Sequence, residues 1–113
     1  MGIVVSFDAL RSLAHGSISG TYAAVGSPTT YPARIVCITN NTDGDMIFST
    51  NNSSDMLFVA TKSYKTFDFT TNRLSTDATF SLPAGTQFYV KQSTAPSSGS
   101  VYIEAIRGVI QPG

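Results

Sequence analysis

The sequence predicts an all-β fold, a single small antiparallel β-sandwich of the immunoglobulin-like or jelly-roll-like kind. Short runs in which apolar and polar residues alternate recur along the chain, and clusters of Gly, Pro, Asn, Asp and Ser separate them. About six to eight strands at this spacing are typical of a sandwich or a small barrel. The length of 113 residues fits one such domain with one core.

The predicted strands are short and end at recognisable turn residues. They cover residues 17–25, 34–39, 46–49, 56–60, 63–69, 79–82, 87–91 and 101–107. Asp43-Gly44 follows the second of these runs and predicts a hairpin turn. Phe88 and Val90 share one face of their strand, and Tyr89 takes the other.

The opening segment has an ambiguous pattern. Phe7, Leu10, Arg11 and Ala14 fit one face of a helix, whereas residues 3–7 are typical of a strand. A third possibility is an arm that becomes ordered only against a neighbouring molecule. The segment is therefore expected to be an arm or a short helix that precedes the sandwich.

These boundaries divide the chain into three parts. Residues 1–15 form the N-terminal arm or short helix, residues 16–109 form the sandwich domain, and residues 110–113 form a C-terminal tail. No internal repeat is visible in the sequence.

Composition excludes several classes of partner. Charged residues make up 12% of the chain, the formal net charge is zero, and Lys and Arg never cluster. Binding to nucleic acid through its phosphates needs such a cluster, so we expect no nucleic-acid partner. The sequence also contains no basic leader followed by an apolar stretch and no run of about 20 apolar residues, so we expect neither a signal peptide nor a membrane span.

The residue types that carry catalysis are almost absent. His15 and Cys37 are the only histidine and cysteine, too few for a zinc site and far apart in sequence for a catalytic pair. Asn41, Asp43 and Asp45 alternate as calcium ligands do, but the glycine and the terminal glutamate of that loop are missing. We therefore expect no enzyme activity, no cofactor and no metal.

A surface that contacts other proteins is the functional feature that the sequence favours. The chain has five Tyr and seven Phe but no Trp, and several Tyr are expected to face outward. Polar loops at residues 40–45, 50–55 and 93–100 and the opening segment are expected to add contacts. The candidate interface residues are Phe7, Leu10, Arg11, Tyr31, Asn41, Asp43, Asn52, Tyr89 and Tyr102.

Six stretches resemble a group of small virion structural proteins of tailed bacteriophages. They are GSISGTYAAVG at 16–26, PARIV at 32–36, ITNNTD at 38–43, FDFTTN at 67–72, LPAGTQFYVK at 82–91 and SGSVYI at 98–103. The resemblance spans residues 10–106 and consists of turns and strand ends. The loop at residues 49–53 departs from the Ser-Phe-Asp-Gly hairpin that those proteins tend to carry, which puts the shape of this loop in question.

The resemblance implies a β-sandwich that is present in many copies in a virion. The leading hypothesis is a protein of the head-to-tail region, a neck, collar or tail ring that contacts the connector or portal, the tail or the major capsid protein and also copies of itself. The alternatives are a capsid decoration (cement) protein and, in a different class, a carbohydrate-binding or receptor-binding module. The implied location is the virion, after assembly in the cytoplasm of the bacterial host.

Overall fold

Antiparallel strands account for nearly all the regular structure of this chain. The computed structural model describes the backbone of residues 2–69 and 81–111 and the side chains of residues 6–69 and 81–107. The strands are β1 (Gly2–Phe7), β2 (Arg11–Ala14), β3 (Ala23–Ala24), β4 (Ile35–Thr42), β5 (Met46–Ser49), β6 (Leu57–Val59), β7 (Ser63–Asp68), β8 (Tyr89–Gln92) and β9 (Gly99–Gln111). The helical structure in the described residues is a single 3₁₀ turn, His15–Ser17. The predicted all-β class is confirmed.

The strands form two antiparallel sheets. The first sheet has the order β1-β9-β4-β7, and β2 pairs with β9 on the same side as β1. The second sheet has the order β3-β8-β5-β6. The apolar inner faces of the two sheets pack together, which is the predicted sandwich.

The order of pairing identifies the sandwich as a jelly roll. The outermost strands β1 and β2 pair with β9, β3 pairs with β8, β4 pairs with β7, and β5 pairs with β6. The chain is thus one long antiparallel hairpin that wraps on itself until β9 meets β4 and β8 meets β5. Of the two predicted kinds of sandwich, this nesting is the jelly-roll one.

Alternation along the central strands builds the core. In β4, Val36 and Ile38 are buried while Cys37 and Thr39 are partly exposed on the outer face. The same period-two pattern runs through residues 101–105 of β9, where the buried residues are opposite those of β4. The core residues are Ile18, Val25, Ala33, Val36, Ile38, Met46, Phe48, Val59, Phe88, Val90, Val101, Ile103 and Ala105.

The opening segment forms two strands and not a helix. β1 ends its pairing at Phe7 opposite Ile106, and β2 begins at Arg11 opposite Ile103. Residues 8–10 therefore face only two residues of β9, which makes a β-bulge. The extra residue reverses the alternation, so that Phe7 faces outward and Arg11 faces the core. Phe7 and Arg11, which a helix would place on one face, therefore lie on opposite faces of the sheet.

Two of the predicted turns and strands differ from the structure. Only Ala23–Ala24 of the predicted strand 17–25 is regular strand, at the edge of the second sheet, although Ser19 and Val25 also form backbone hydrogen bonds with Gln92 and Phe88. Asp43-Gly44 is not a hairpin turn. The strand before it, β4, lies in the first sheet and the strand after it, β5, lies in the second, so this turn crosses between the sheets.

The other predicted strands are found close to their expected places. They correspond to β4, β5, β6, β7, β8 and β9, of which β9 is much longer than predicted. Leu82, at the end of the predicted strand 79–82, forms an isolated bridge with Ala33. Residues 79–80 and the predicted polar loop 70–77 lie outside the described residues.

Candidate interaction surfaces

The described residues do not assemble a catalytic or metal-binding cluster. No group of three or more His, Cys, Asp or Glu side chains lies close enough to hold a metal in residues 2–69 and 81–111. Nδ1 of His15 is 3.2 Å from the Gly99 carbonyl, at one end of β9, whereas Cys37 pairs with Glu104. Five residues of extended strand separate those two positions on β9 by about 16 Å, too far for a catalytic pair.

Asp43 and Asp45 serve separate structural contacts and do not converge on a cation site. The Asp43 carboxylate accepts hydrogen bonds from Ser97, while Oδ1 of Asp45 accepts one from the Thr61 N–H at 2.9 Å. In the described part of the chain, no helix is long and apolar enough to cross a bilayer.

A two-stranded ribbon extends from one end of the sandwich. β4 stops pairing with β9 at Ile35 opposite Ile106. Beyond this point, residues 107–111 of β9 pair with β1. We call β1 together with residues 106–111 the ribbon. It makes the molecule elongated, with extents of 50 × 24 × 22 Å.

Three of the predicted interface residues lie at the base of the ribbon, namely Phe7, Leu10 and, as described below, Tyr31. Phe7 is 76% exposed and Leu10 is 61% exposed, both large values for apolar side chains in the free chain. Phe7 lies in a row with Ile106 and Ile35 across three strands on the outer face of the first sheet. This row is an apolar surface at the position where the sandwich narrows to two strands.

Tyr31 lies at the same end and packs against a cation. The guanidinium of Arg107 is 3.4 Å from the centroid of the Tyr31 ring, a close cation–π contact. Nε of Arg107 is buried and has no hydrogen-bond partner among the described residues. The Arg107 side chain faces away from the Phe7 row, because Arg107 follows Ile106 on the strand.

Arg11, in contrast, is buried within its own chain. Its Nε donates to the Ser27 carbonyl at 2.7 Å, and its guanidinium nitrogens donate to the carbonyls of Pro28 at 2.7 Å and Ala9 at 2.5 Å. Its exposed fraction is 3%, which leaves no surface for a partner. Arg11 instead fixes the bulge to the loop that follows Gly26.

The bulge is also held by a carboxylate. Asp8 accepts hydrogen bonds from the N–H groups of Ala9 at 2.8 Å and Thr30 at 3.0 Å, and it lies 3.4 Å from Arg11. Burial of Asp8 acts to raise its pKa, but these hydrogen bonds and the charge of Arg11 outweigh it, so the pKa of Asp8 is lowered.

Asn41 and Asp43 lie at the opposite end of the sandwich from the ribbon. The Asp43 carboxylate accepts hydrogen bonds from the Ser97 hydroxyl and N–H and from the Ser98 N–H, and these contacts lower the pKa of Asp43 to about 2. The exposed Asn41 accepts a hydrogen bond from Lys62 through its carbonyl. Asp43 therefore joins two loops of its own chain.

Asn52 lies in the exposed loop between β5 and β6. Its φ of 64° is left-handed, a conformation that Asn tolerates better than most residues. Oδ1 of Asn51 shapes this loop by accepting hydrogen bonds from the N–H groups of Ser53 at 3.0 Å and Ser54 at 2.8 Å. Asn52 is exposed and stays a candidate contact residue.

The tyrosines are distributed over the outer faces of both sheets. Tyr102 is half-buried on the outer face of the first sheet, with Thr39 between it and the exposed Tyr64. Tyr89 lies on the outer face of the second sheet. A flat ring platform for a sugar needs neighbouring aromatic rings on one face, and this distribution does not supply one.

The sequence analysis missed an apolar surface on the second sheet. Met56 is 46% exposed and Phe58 is 47% exposed, and with Ile47 they border a surface depression of about 160 Å³. The run Met56-Leu57-Phe58 contained the signal. Three consecutive apolar residues in a strand must place apolar side chains on both faces.

A polar network lies beside this surface. The Tyr22 hydroxyl donates to Asp55 at 2.6 Å, and Lys91 pairs with the same carboxylate at 2.8 Å while its ammonium lies 4.9 Å from the Tyr22 ring centroid. Burial of Tyr22, with its hydrogen bond to Asp55, raises the pKa of Tyr22 to about 12. The pKa of Asp55 is lowered by Lys91 and Tyr22.

Comparison with known proteins finds similarity in structure and none in sequence. No protein-family model matches the chain, and no curated protein matches it. Two solved structures with low TM-scores are a virus-like particle of the extra small virus of the prawn Macrobrachium rosenbergii and a Bacillus endospore appendage from a family of disulfide-linked pili. The first has a TM-score of 0.47 at 7% identity over 96% of this chain and 79% of that chain. The second has a TM-score of 0.44 at 13% identity over 96% and 89%.

The similarity that carries weight is to a chain of the cyanophage Pam1 capsid asymmetric unit. The TM-score is 0.51 at 15% sequence identity, and the match covers 93% of this chain and 84% of that chain. At this identity the likeness shows a shared fold. The chain therefore has the fold of a protein found in a bacteriophage capsid.

Proposed function

We propose that this protein is a non-enzymatic structural component of a tailed-bacteriophage virion and that it acts by contacts with other proteins. The observation that carries the proposal is the jelly-roll fold shared with the Pam1 capsid chain over 93% of this sequence. A fold alone does not define a function. The resemblance of six sequence stretches to small virion structural proteins predicts the same role.

The surface of the free chain is consistent with assembly. Phe7, Leu10 and Phe58 are each about half exposed or more, and they form two apolar regions, at the ribbon and on the second sheet. Large apolar side chains in such positions are typical of surfaces that other proteins cover. The formal net charge of zero gives little repulsion between copies.

The head-to-tail region is the first proposed location. In a neck, collar or tail ring the protein would contact the connector or portal, a tail protein and neighbouring copies of itself. The elongated shape suits such a ring, because the ribbon at one end and the loops around Asn41 at the other end are both available for contacts.

The capsid surface is the second proposed location, and the fold shared with a chain of the Pam1 capsid asymmetric unit is consistent with it. A decoration protein would bind the major capsid protein in copies spread over the shell. The two locations share the same chemistry and differ in partner and copy number. A receptor-binding or carbohydrate-binding module is the remaining proposal, and the separation of Tyr64 and Tyr89 on different sheets counts against it.

Quantitative mass spectrometry of purified particles tests the role and separates the locations. Isotope-labelled peptides of this protein and of the major capsid protein give the number of copies per particle. We expect the protein to remain in particles that have been banded on a density gradient and washed with high salt. A copy number per particle that matches a single ring supports the head-to-tail region. A copy number comparable to that of the major capsid protein supports decoration. Loss of the protein from washed particles would overturn the virion role.

A further inference from the structure

We infer that the ribbon is a self-association element, through which residues 107–111 of two copies pair as antiparallel strands about a two-fold axis. This inference deepens the proposed function and rests on it, since it names how copies of a virion protein would contact each other.

The hydrogen-bonding direction of each β9 residue follows from its pairs. The Ala105 carbonyl accepts from the Asp8 N–H at 2.9 Å, on the side of β1, and the Ile106 carbonyl accepts from the Arg34 N–H at 2.7 Å, on the side of β4. Because the direction alternates along a strand, odd residues of β9 face β1 and even residues face the β4 side. Gly108 and Ile110 therefore direct their N–H and C=O groups to the β4 side.

No strand pairs with these groups among the described residues. β4 pairs with β9 only as far as Ile35 opposite Ile106, and residues 107–111 continue for about 17 Å beyond it. A two-stranded ribbon is only marginally stable in water, and an open strand edge is a template for another strand. Within residues 2–69 and 81–111 this edge of the ribbon is therefore unpaired, and it lies beside the exposed Phe7.

The open edge is complementary to itself. If Val109 lies on a two-fold axis, Gly108 faces Ile110 of the second copy and Ile110 faces Gly108 of the second copy, and each pair exchanges both backbone hydrogen bonds. The product is a four-stranded sheet in the order β1-β9-β9-β1. The paired strands run in opposite directions, so the two sandwiches lie at opposite ends and do not collide.

The other open edges fit a second copy less well. β6 has only three residues, and β3 has only two. β7 carries Lys65 and Asp68 along its length, and charged side chains on an edge strand disfavour pairing. The ribbon edge, in contrast, has no charged residue between Gly108 and Gln111.

Disulfide cross-linking of the full chain tests this register. The native cysteine is first removed by Cys37→Ser, and Val109→Cys is added in that background. Strand residues that face each other as a non-hydrogen-bonded pair have Cα atoms about 4.5 Å apart, within the reach of a disulfide. We expect mild oxidation at micromolar protein to convert most of the Val109→Cys chains to a covalent dimer on a non-reducing gel.

Val4→Cys in the same background is the matched control. Val4 pairs with Val109 of its own chain. In the proposed sheet the two Val4 positions are three strand spacings apart, about 14 Å, beyond disulfide reach. We expect no covalent dimer from this variant. Equal cross-linking of the two variants, or no covalent dimer from Val109→Cys, would overturn the two-fold register.

Gly108→Pro tests the hydrogen bonds without a cysteine. The Gly108 N–H points to the open side, so its loss breaks no pair within the chain, and Pro is tolerated on strand edges. We expect light scattering to give twice the chain mass for the native protein and one chain mass for Gly108→Pro, which should still unfold in a single cooperative thermal transition. The pairing is overturned if the native protein is monomeric and its Val109→Cys variant does not cross-link. The virion role would still be supported in that case by the presence of the protein in washed particles.

Discussion

At the scale of single residues, two glycines are required because neighbouring backbone leaves no room for a Cβ atom. Gly99, the first residue of β9, has a φ of 89°, and a Cβ on it would lie 1.9 Å from the Asn41 carbonyl oxygen. A Cβ on Gly44 would lie 2.3 Å from the Thr94 carbonyl oxygen. Both contacts are with backbone, which cannot move aside as a side chain can.

Replacement of Gly99 therefore tests the close approach of β9 to β4. We expect Gly99→Ala to lower the free energy of unfolding by about 3 kcal/mol or more, from the left-handed backbone and the clash together. Gly85→Ala is the control, because Gly85 has a φ of 84° but open space around its Cβ position. It should cost only ~1–2 kcal/mol in urea unfolding. Equal losses for the two variants would contradict the proposed contact.

Arg11 offers a second test at this scale. Arg11→Met keeps the length of the side chain but leaves the carbonyls of Ala9, Ser27 and Pro28 without their donor. We expect the free energy of unfolding to fall by about 2–4 kcal/mol, measured by chemical denaturation. Ser12→Ala, at the exposed neighbouring position, should change it by less than ~0.5 kcal/mol. A neutral Arg11→Met would show that the residue is not a structural tether.

At the scale of elements, Asp43 joins the turn between β4 and β5 to the loop before β9. Its pKa is lowered to about 2 by the Ser97 hydroxyl and by N–H groups of Ser97 and Ser98. A carboxylate with a lowered pKa stabilises the fold fully above its unfolded pKa of about 3.9, and this contribution is lost as the pH falls through 2.

Asp43→Asn tests this linkage. We expect a lower thermal transition than that of the native chain at pH 5 to 7, and a difference that narrows between about pH 4 and pH 2. Differential scanning calorimetry of both chains across this range measures it. A difference that stays constant down to pH 2 would mean that the charge of Asp43 does not tie the loops.

Most elements could be predicted from local sequence, since alternation and turn residues are local signals. Phe88 and Val90 are buried and Tyr89 lies on the outer face, as predicted for β8. The end of β9 was not predicted, because Gly108 interrupts the apolar run and only pairing with β1 continues the strand. Long-range pairing is not visible in a local pattern.

The opening segment and the Asp43-Gly44 turn show where local reasoning fails. The spacing of Phe7 and Arg11 fits one face of a helix, whereas the bulge between them puts these two side chains on opposite faces of the sheet, and a bulge has no signal in the local pattern. A turn signal gives the place of a turn but not the sheet of the next strand. The pairing partners of β4 and β5 decide that at the level of the whole chain.

The candidate surface could be predicted only in part, because a local pattern indicates which side chains face outward but not which distant loops cover them. The exposure of Phe7, Leu10 and Tyr31 agrees with their choice as contact residues, but their contacts with a partner stay a prediction. Arg11 belonged to the same sequence pattern, and its burial depends on the loop at residues 27–30, which is distant in sequence. Phe58 was not among the predicted contact residues, although three consecutive apolar residues at 56–58 must place an apolar side chain on the outer face.

At the scale of the whole molecule, an elongated jelly roll with a ribbon at one end and tied loops at the other suits repeated packing. The proposed role for such a molecule is that of a structural part of a virion. The exposed apolar row at Phe7 and the surface at Phe58 would then be covered in the particle. Coverage by neighbours is a property of the assembly and can be measured only there.

Electron microscopy of the assembled particle, reconstructed with and without imposed symmetry, tests this claim most directly. The account predicts density for this sandwich in many symmetry-related copies, either as a ring at one vertex or over the shell, with the Phe7 and Phe58 surfaces in contact with other protein. A particle that contains no such density at the vertex or on the shell would contradict the account.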